Sequence, residues 1–527
     1  MPDQLAVLGL SAGGLAASLW ALRQRQPPST AGPSPTEQGG LTGAMSLQEE
    51  LLRAAAGPIH AGADRLRRSP VYARRGMVSS SQPLATEAGL RILRSGGNAV
   101  DAAIAVAAAL AVTTPAMTGL GGDMFMLFWD AAAKEVKALN GSGRAPEALT
   151  VEAVREAMGV GAEGMAYEGT AGVPDPKHVH CVTVPGACAG WCDAVEKWGS
   201  MSISEVLQPA IELASGGFPV APISAVMWGN HAASLRKWQH GAAAELLLDG
   251  PDGPRAPHPG EIFRNPALAD VLREIAAEGK AGFYTGRAAR AIVEAVRAEG
   301  GVLSMEDLAR HESEFVDAIS MEYHGCELWE HPPNGQGITA LIAANILRGV
   351  DVGGMEHGSA EHFHVLIEAI RLAFADARHF VADTAHADVP VDALLSHEYG
   401  AARRQLIQPD RAAADVATGS PLGGSDTVSF QVVDGAGNAV SMVNSVYQHF
   451  GSGLVAPGTG FALQNRGANF SLRAGVPNVF VGGKRPFHTI IPAMITKDGE
   501  LVATFTNMGG FMQPQVRDAA HPPPARP

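Results

Sequence analysis

Apolar residues recur at helical spacing over 84–93, and Gly96 and Gly97 close that run, because glycine accepts the left-handed conformation at a helix end. Asn98 is placed to cap a second helix, with Asp101 as an acidic partner in its first turn. Residues 101–112 are nearly all Ala, Ile, Leu and Val, which predicts a helix buried on every side. The spacing predicts further helices over 203–214, where Ser202 and Glu205 stand as a capping box, over 268–278, and over 361–380. In the last of these Phe363, Leu366, Ile367, Ile370 and Phe374 fall on one face. A strand is predicted over 124–129, entered from Gly119-Leu120-Gly121-Gly122-Asp123. A phosphate loop runs strand, glycines, helix. Here the helix comes first, so these glycines are read as sites of close backbone packing.

The clearest β pattern is late in the chain. Residues 427–433 form one strand, 434–438 turn, and 439–447 return as a second strand. Ahead of them lies Gly419-Ser420-Pro421-Leu422-Gly423-Gly424-Ser425-Asp426, polar and without periodicity. At the other end, residues 5–22 are an apolar run just long enough to be a membrane-span candidate. An anchor, a transit segment and an unstructured extension all remain open, and with them a membrane, organellar or cytoplasmic location. Gly9-Leu10-Ser11-Ala12-Gly13 matches a nucleophile elbow by letter only, since that motif belongs after several strands. The expected organisation is therefore 1–25 apolar segment, 26–70 Pro/Gly-rich linker, 71–426 large region and 427–527 small region.

Composition narrows the partners. The chain has 527 residues, a net charge of -14 and 46% hydrophobic residues. An acidic surface argues against nucleic acid, whose phosphates require a basic footprint. Cys181, Cys188, Cys192 and Cys326 fit no zinc spacing and read as small core side chains. His178 and His180, like His362 and His364, stand two apart rather than at the i, i+4 spacing of a helical metal pair. No metal or cofactor is expected.

Thr427 stands where the polar linker becomes a strand. A threonine hydroxyl is a weak nucleophile that needs a base. If the chain is cut between Asp426 and Thr427, the freed α-amino group, with an ordinary pKa near 8, supplies one.

From Met77 onward the chain resembles the γ-glutamyltranspeptidase family. The resemblance rests on Ser-Gln-Pro-Leu-Ala at 81–85, Gly-Gly-Asn-Ala-Val-Asp-Ala-Ala at 96–103 and Thr-Gly-Leu-Gly-Gly at 118–122. It continues through Val-Pro-Gly at 184–186, Val-Val-Asp at 432–434, Gly-Asn-Ala-Val at 437–440, Phe-Gly-Ser-Gly at 450–453 and Lys-Arg-Pro at 484–486. It implies a four-layer αββα sandwich of the N-terminal-nucleophile (Ntn) hydrolase type. It also implies self-cleavage into two fragments that stay together as a heterodimer, Thr427 as nucleophile, Ser445 as its hydroxyl neighbour, and Gly509 and Gly510 as oxyanion donors.

The residues that would grasp a substrate depart from the family's pattern. Ser142 stands at the position of its arginine, with Arg144 two residues on. Tyr447 replaces an asparagine, Asn469 an aspartate, and His488-Thr489 a serine pair. Leu463-Gln464-Asn465-Arg466-Gly467, Arg485-Pro486-Phe487-His488-Thr489 and Gly509-Gly510-Phe511-Met512-Gln513-Pro514 resemble the oxamate amidohydrolase and acylase branch. Arg144, Arg466 and His488 would then meet a small acidic amide. The proline-rich residues 516–527 do not fit the helices and strands that follow in the family, so an incomplete C-terminal part is expected. Three readings follow: a γ-glutamyl amide hydrolase or transpeptidase, an acylase for a small acidic amide, and an uncleaved interaction protein.

Overall fold

The structure, a computed structural model, describes residues 71–160, 175–413 and 427–515. The apolar run at 5–22, the linkers before Met77 and before Thr427, Asp426 and the residues from 516 lie outside them.

Strands β1 (Gly76–Ser79), β2 (Asp123–Asp130), β3 (Glu135–Gly141), β6 (Glu314–Asp317), β9 (Val428–Asp434) and β10 (Ala439–Ser445) form one sheet in the order β1-β9-β10-β2-β3-β6. A second sheet runs β12-β11-β8-β7, from Glu500–Phe505, Ala493–Lys497, Cys326–Glu330 and Ile319–Tyr323. Two-residue strands β4 (Phe218–Pro219) and β5 (Ile262–Phe263) pair apart from both.

The layering follows from strand alternation. On β2, Met124, Met126 and Phe128 join a core with the helices Pro83–Arg94, Ala99–Thr113, Ala187–Trp198 and Ile203–Gly216. The intervening Leu127 and Trp129 pack with Val433, Ala439 and Met494, between the two sheets, and Phe125 packs with Val443 and Ile490. Behind the second sheet, Leu328 and Ile495 pack with the helices Gly337–Leu347 and Ala360–Phe380. The result is helix, sheet, sheet, helix, the four-layer architecture that the resemblance implied. Buried on both faces, β2 lacks the polar alternation of a half-exposed strand.

Local signals in the sequence correspond closely to this frame. Asn98 and Asp101 form a capping box on Ala99–Thr113, and every residue of that helix is buried. Ser202 and Glu205 form another. All four cysteines are buried and free. Two expectations are corrected. Helix Ala360–Phe380 buries Ala369, Ile370, Leu372, Ala373 and Ala377, whereas Phe363 is 53% and Ile367 52% exposed. Its inner stripe is built on alanines, which let it lie close against Gly337–Leu347. The return strand stops at Ser445 rather than Tyr447, because Tyr447 takes φ 78, outside the strand region.

Candidate active site

The site gathers at one end of the six-stranded sheet. Strand β10 lies between β9 and β2, with Asn444 opposite both Val428 and Met124 and Ser445 opposite Asp123. Thr427, the residue before β9, is thereby held beside Ser445 and is fully buried. Its Oγ1 donates to Ser445 Oγ at 3.3 Å. The Tyr447 N–H donates to the same oxygen at 2.9 Å and Arg466 Nη2 at 3.1 Å. Arg466 Nη1 donates to Thr489 Oγ1 at 2.8 Å. A continuous polar chain thus links Thr427, Ser445, Arg466 and Thr489.

Arg466 is fully buried, with its guanidinium 4.5 Å from the Tyr447 ring centroid. Burial lowers its pKa to about 10, with the Asp123 charge opposing, so it stays cationic at neutral pH. Among the described residues its Nε has no hydrogen-bond partner. Burial also raises the Tyr447 hydroxyl to about 12, which keeps it protonated.

Asp123 ends the glycine-rich turn. Its Oδ1 accepts from Gly143 N at 2.9 Å, Gly186 N at 3.1 Å and Gln464 Nε2 at 2.8 Å, and its Oδ2 meets His488 Nε2 at 3.1 Å. Burial opposes its ionisation, yet the His488 hydrogen bond, the neighbouring Arg466 charge and Gln464 outweigh it and hold the carboxyl below its usual range. Burial, aided by Arg466, lowers His488 to about 3. A neutral imidazole then donates from Nε2 to Asp123 and accepts the Ile490 N–H at Nδ1. Both of its nitrogens are committed inside the protein. The close-packing reading of the glycines stands: a Cβ on Gly122 would sit 2.3 Å from Ser445 O, and one on Gly121 2.2 Å from Ala462 O.

A family model described as gamma-glutamyltranspeptidase matches residues 85–519. The chain belongs to the γ-glutamyltranspeptidase family. It is 38% identical over 450 residues to the glutathione hydrolase-like YwrD proenzyme of Bacillus subtilis (strain 168), covering 84% of this chain and 80% of that protein. It is 34% identical over 453 residues to the oxamate amidohydrolase proenzyme of Klebsiella pneumoniae, covering 84% and 80%. Among solved structures it is similar to a cephalosporin acylase from Bacillus halodurans, with 42% identity, a TM-score of 0.75 and coverage of 85% and 80%. The chain is therefore an enzyme of the Ntn-hydrolase type, with the amidohydrolase chemistry of its family.

Against that family's pattern, the remaining expected residues divide. Ser142, in the arginine's place, accepts from Asn334 Nδ2 at 3.2 Å. Arg144 is paired with Glu314 at 2.8 Å and Asp383 at 3.2 Å. Asn469 donates to Phe487 O at 2.9 Å. Gly509 and Gly510, at φ 132 and 53, use conformations that favour glycine. Their carbonyls accept from Met512 N and Gln336 Nε2 respectively, both at 2.8 Å.

Sequence reasoning missed Asp123, Asn334 and Gln336. Asn334 accepts from Asn140 Nδ2 at 2.9 Å and donates to Pro486 O at 2.8 Å. The available signal was three amide or acid side chains beside glycine: Gly122-Asp123 and Asn334-Gly335-Gln336-Gly337. Such polar residues among close-packed glycines are placed for buried hydrogen bonding.

Proposed function

We propose that this protein is a self-processing N-terminal-threonine amidohydrolase that acts, through an acyl-enzyme, on a small amide whose acyl part carries a carboxylate. The observation that carries the proposal is the placement of Thr427, buried at the start of β9 with its hydroxyl on Ser445 and a buried arginine behind it.

Processing starts with addition of Thr427 Oγ to the Asp426 carbonyl. The peptide nitrogen leaves as the new α-amine, and water hydrolyses the ester to free the Asp426 carboxylate. In turnover the amine takes the hydroxyl proton as Oγ attacks the substrate carbonyl, and the Arg466 charge nearby favours its unprotonated, basic form. The N–H groups of Gly509 and Gly510 stabilise the oxyanion, a contribution of roughly 3 kcal/mol per donor in well-formed sites. The proton then passes to the departing amine, and water releases the acid and restores Thr427.

Arg466 favours an acidic acyl group: among the described residues its Nε is an unused donor on a buried cation, and buried charge is costly without full hydrogen bonding. Arg144 and His488, bonded elsewhere, shape the pocket rather than touch the acid. Tyr447, Thr489 and Asn469 line or brace it. A γ-glutamyl group and an oxamate-like acid both bring a carboxylate; only the former brings an ammonium. Asp123 is already engaged by four donors, which favours the acid without the ammonium.

The test is a denaturing gel with amino-terminal sequencing, beside hydrolysis of oxamate, glutathione and a γ-glutamyl-p-nitroanilide. Two fragments, the smaller starting at Thr427, and turnover abolished in Thr427→Ala are expected. A stable intact wild-type chain with no turnover would instead leave the interaction-protein reading.

A further inference from the structure

The loop between β8 and helix Gly337–Leu347 ends at Gln336, which is fully buried. Gln336 occupies the N-cap position of that helix, but its side chain does not cap it. It reaches across to the site instead. Nε2 donates to Thr489 O at 2.9 Å and to Gly510 O at 2.8 Å. The loop backbone is laced to the same segment, with Gln336 N donating to His488 O and His488 N to Asn334 O, both at 2.8 Å. This lacing needs small neighbours. A Cβ on Gly335 would lie 3.0 Å from Phe125 Cε2, and one on Gly337 2.6 Å from His331 O.

We infer that Gln336 is a positioning residue for catalysis, its side-chain amide fixing the Gly509–Gly510 oxyanion segment against the segment that carries Thr489. The inference rests on the oxyanion role proposed above for those glycines. Two features make the amide the right group. It is neutral, with two N–H hydrogens for two carbonyl oxygens on separate segments. It also closes the polar chain: Thr427, Ser445, Arg466, Thr489, Gln336 and Gly510 are joined in sequence by hydrogen bonds. The nucleophile and the oxyanion donors sit at its two ends. Gly509 and Gly510 lie in a three-residue 3-10 turn and its preceding residue, so their own secondary structure gives little rigidity. Rigidity has to come from a contact such as this one.

The experiment compares wild type, Gln336→Ala, Gln336→Glu and Thr427→Ala on whichever of the three amides wild type hydrolyses fastest. Turnover is referred to the fraction of chain processed on the gel. Loss of register between nucleophile and oxyanion donors lowers kcat in Gln336→Ala by roughly 10²-fold, with KM changed by less than about threefold, because Gln336 touches no substrate. In Gln336→Glu a carboxylate faces two carbonyl oxygens at neutral pH and repels both. Burial raises that carboxyl's pKa, and once protonated it donates to one of them. The variant-to-wild-type ratio of kcat therefore rises as pH falls from 8 to 5.5. That pH-dependent recovery keeps the test valid if Gln336→Ala fails to fold. A wild-type kcat in Gln336→Ala, or a kcat ratio for Gln336→Glu that stays flat with pH, overturns the inference. If Thr427→Ala retains turnover, or wild type hydrolyses none of the amides, the proposed function falls instead.

Discussion

The guanidinium of Arg466 lies 4.5 Å from the centroid of the Tyr447 ring, and both residues are buried. An arginine in this setting has its face covered by an aromatic and its edge presented to acceptors. Two edge nitrogens are used by Ser445 and Thr489 and the third is free among the described residues. Arg466→Met keeps much of the stem volume and removes the cation. We expect it to raise KM for the carboxylate substrate by roughly 10²-fold, equivalent to about 3 kcal/mol for a buried charge-assisted contact. Arg466→Lys should restore little of this, since a single ammonium lacks the planar fork whose separate nitrogens reach Ser445 and Thr489 and leave Nε for the acid. Steady-state kinetics with the free acid and its methyl ester decide the matter: an unchanged acid-to-ester preference in Arg466→Met would sink the assignment.

Gly122 tests the link between backbone packing and the nucleophile. A methyl group there would meet Ser445 O at 2.3 Å, and backbone cannot yield as a side chain can. Gly122→Ala should push the end of β10 away from β2 and carry Ser445 off Thr427. The expected outcome is an unprocessed chain with a lower melting temperature, read by gel and circular dichroism. Gly216, where an added Cβ meets nothing within 4 Å among the described residues, is the control position, and its alanine variant should process normally.

The sequence named the segments that meet at this site through the family resemblance, and the contacts it did not name were hidden for physical reasons. Thr427 stood out where the polar linker becomes a strand, whereas Ser445 was named only through the family resemblance; the pairing of β9 with β10 brings their hydroxyls together. Arg466 was legible as a residue type, but burial of a cation cannot be read from its immediate neighbours. Arg144, two residues beyond the place of the family's arginine, pairs with Glu314 and Asp383, distant carboxylates that no local pattern reveals. Gln336 braces residues 153 and 174 positions further along the chain. The apolar face named on helix Ala360–Phe380 only partly coincides with its buried face, for a related reason. Large apolar residues dominate a periodicity argument, while alanines set how closely two helices approach.

Asp123 holds four segments at once, so its charge carries structure as well as electrostatics. Asp123→Asn retains one carbonyl oxygen but turns an N–H group toward the Nε2–H of His488. We expect a loss of about 3 kcal/mol, typical of breaking a buried charged hydrogen bond. Chemical denaturation of the intact protein measures it. The double variant Asp123→Asn, His488→Ala should be less than additive, because the two side chains share one bond. Full additivity would show that they act independently.

The buried histidines set the acid limit of stability. Burial lowers His488 to about 3, His311 to about 3 and His331 to about 4, against an unfolded value near 6.5. Between those limits the unfolded chain binds protons that the folded chain excludes. Stability therefore falls as pH drops below 6.5, by up to roughly 1.4 kcal/mol per pH unit for each histidine. Asp123 adds nothing in this window, since its lowered pKa in the folded state and its ordinary pKa of about 3.9 in the unfolded chain both leave it ionised until pH approaches 4. His311 offers the cleanest test. Neither ring nitrogen has a hydrogen-bond partner among the described residues, and the ring packs 5.3 Å from that of Tyr284. His311→Phe fills a similar volume without a titrating group. The drop in melting temperature between pH 7.5 and pH 5 should be smaller in His311→Phe than in wild type. An equal drop in both proteins would show that His311 binds protons alike in the folded and unfolded states and that the acid sensitivity lies elsewhere.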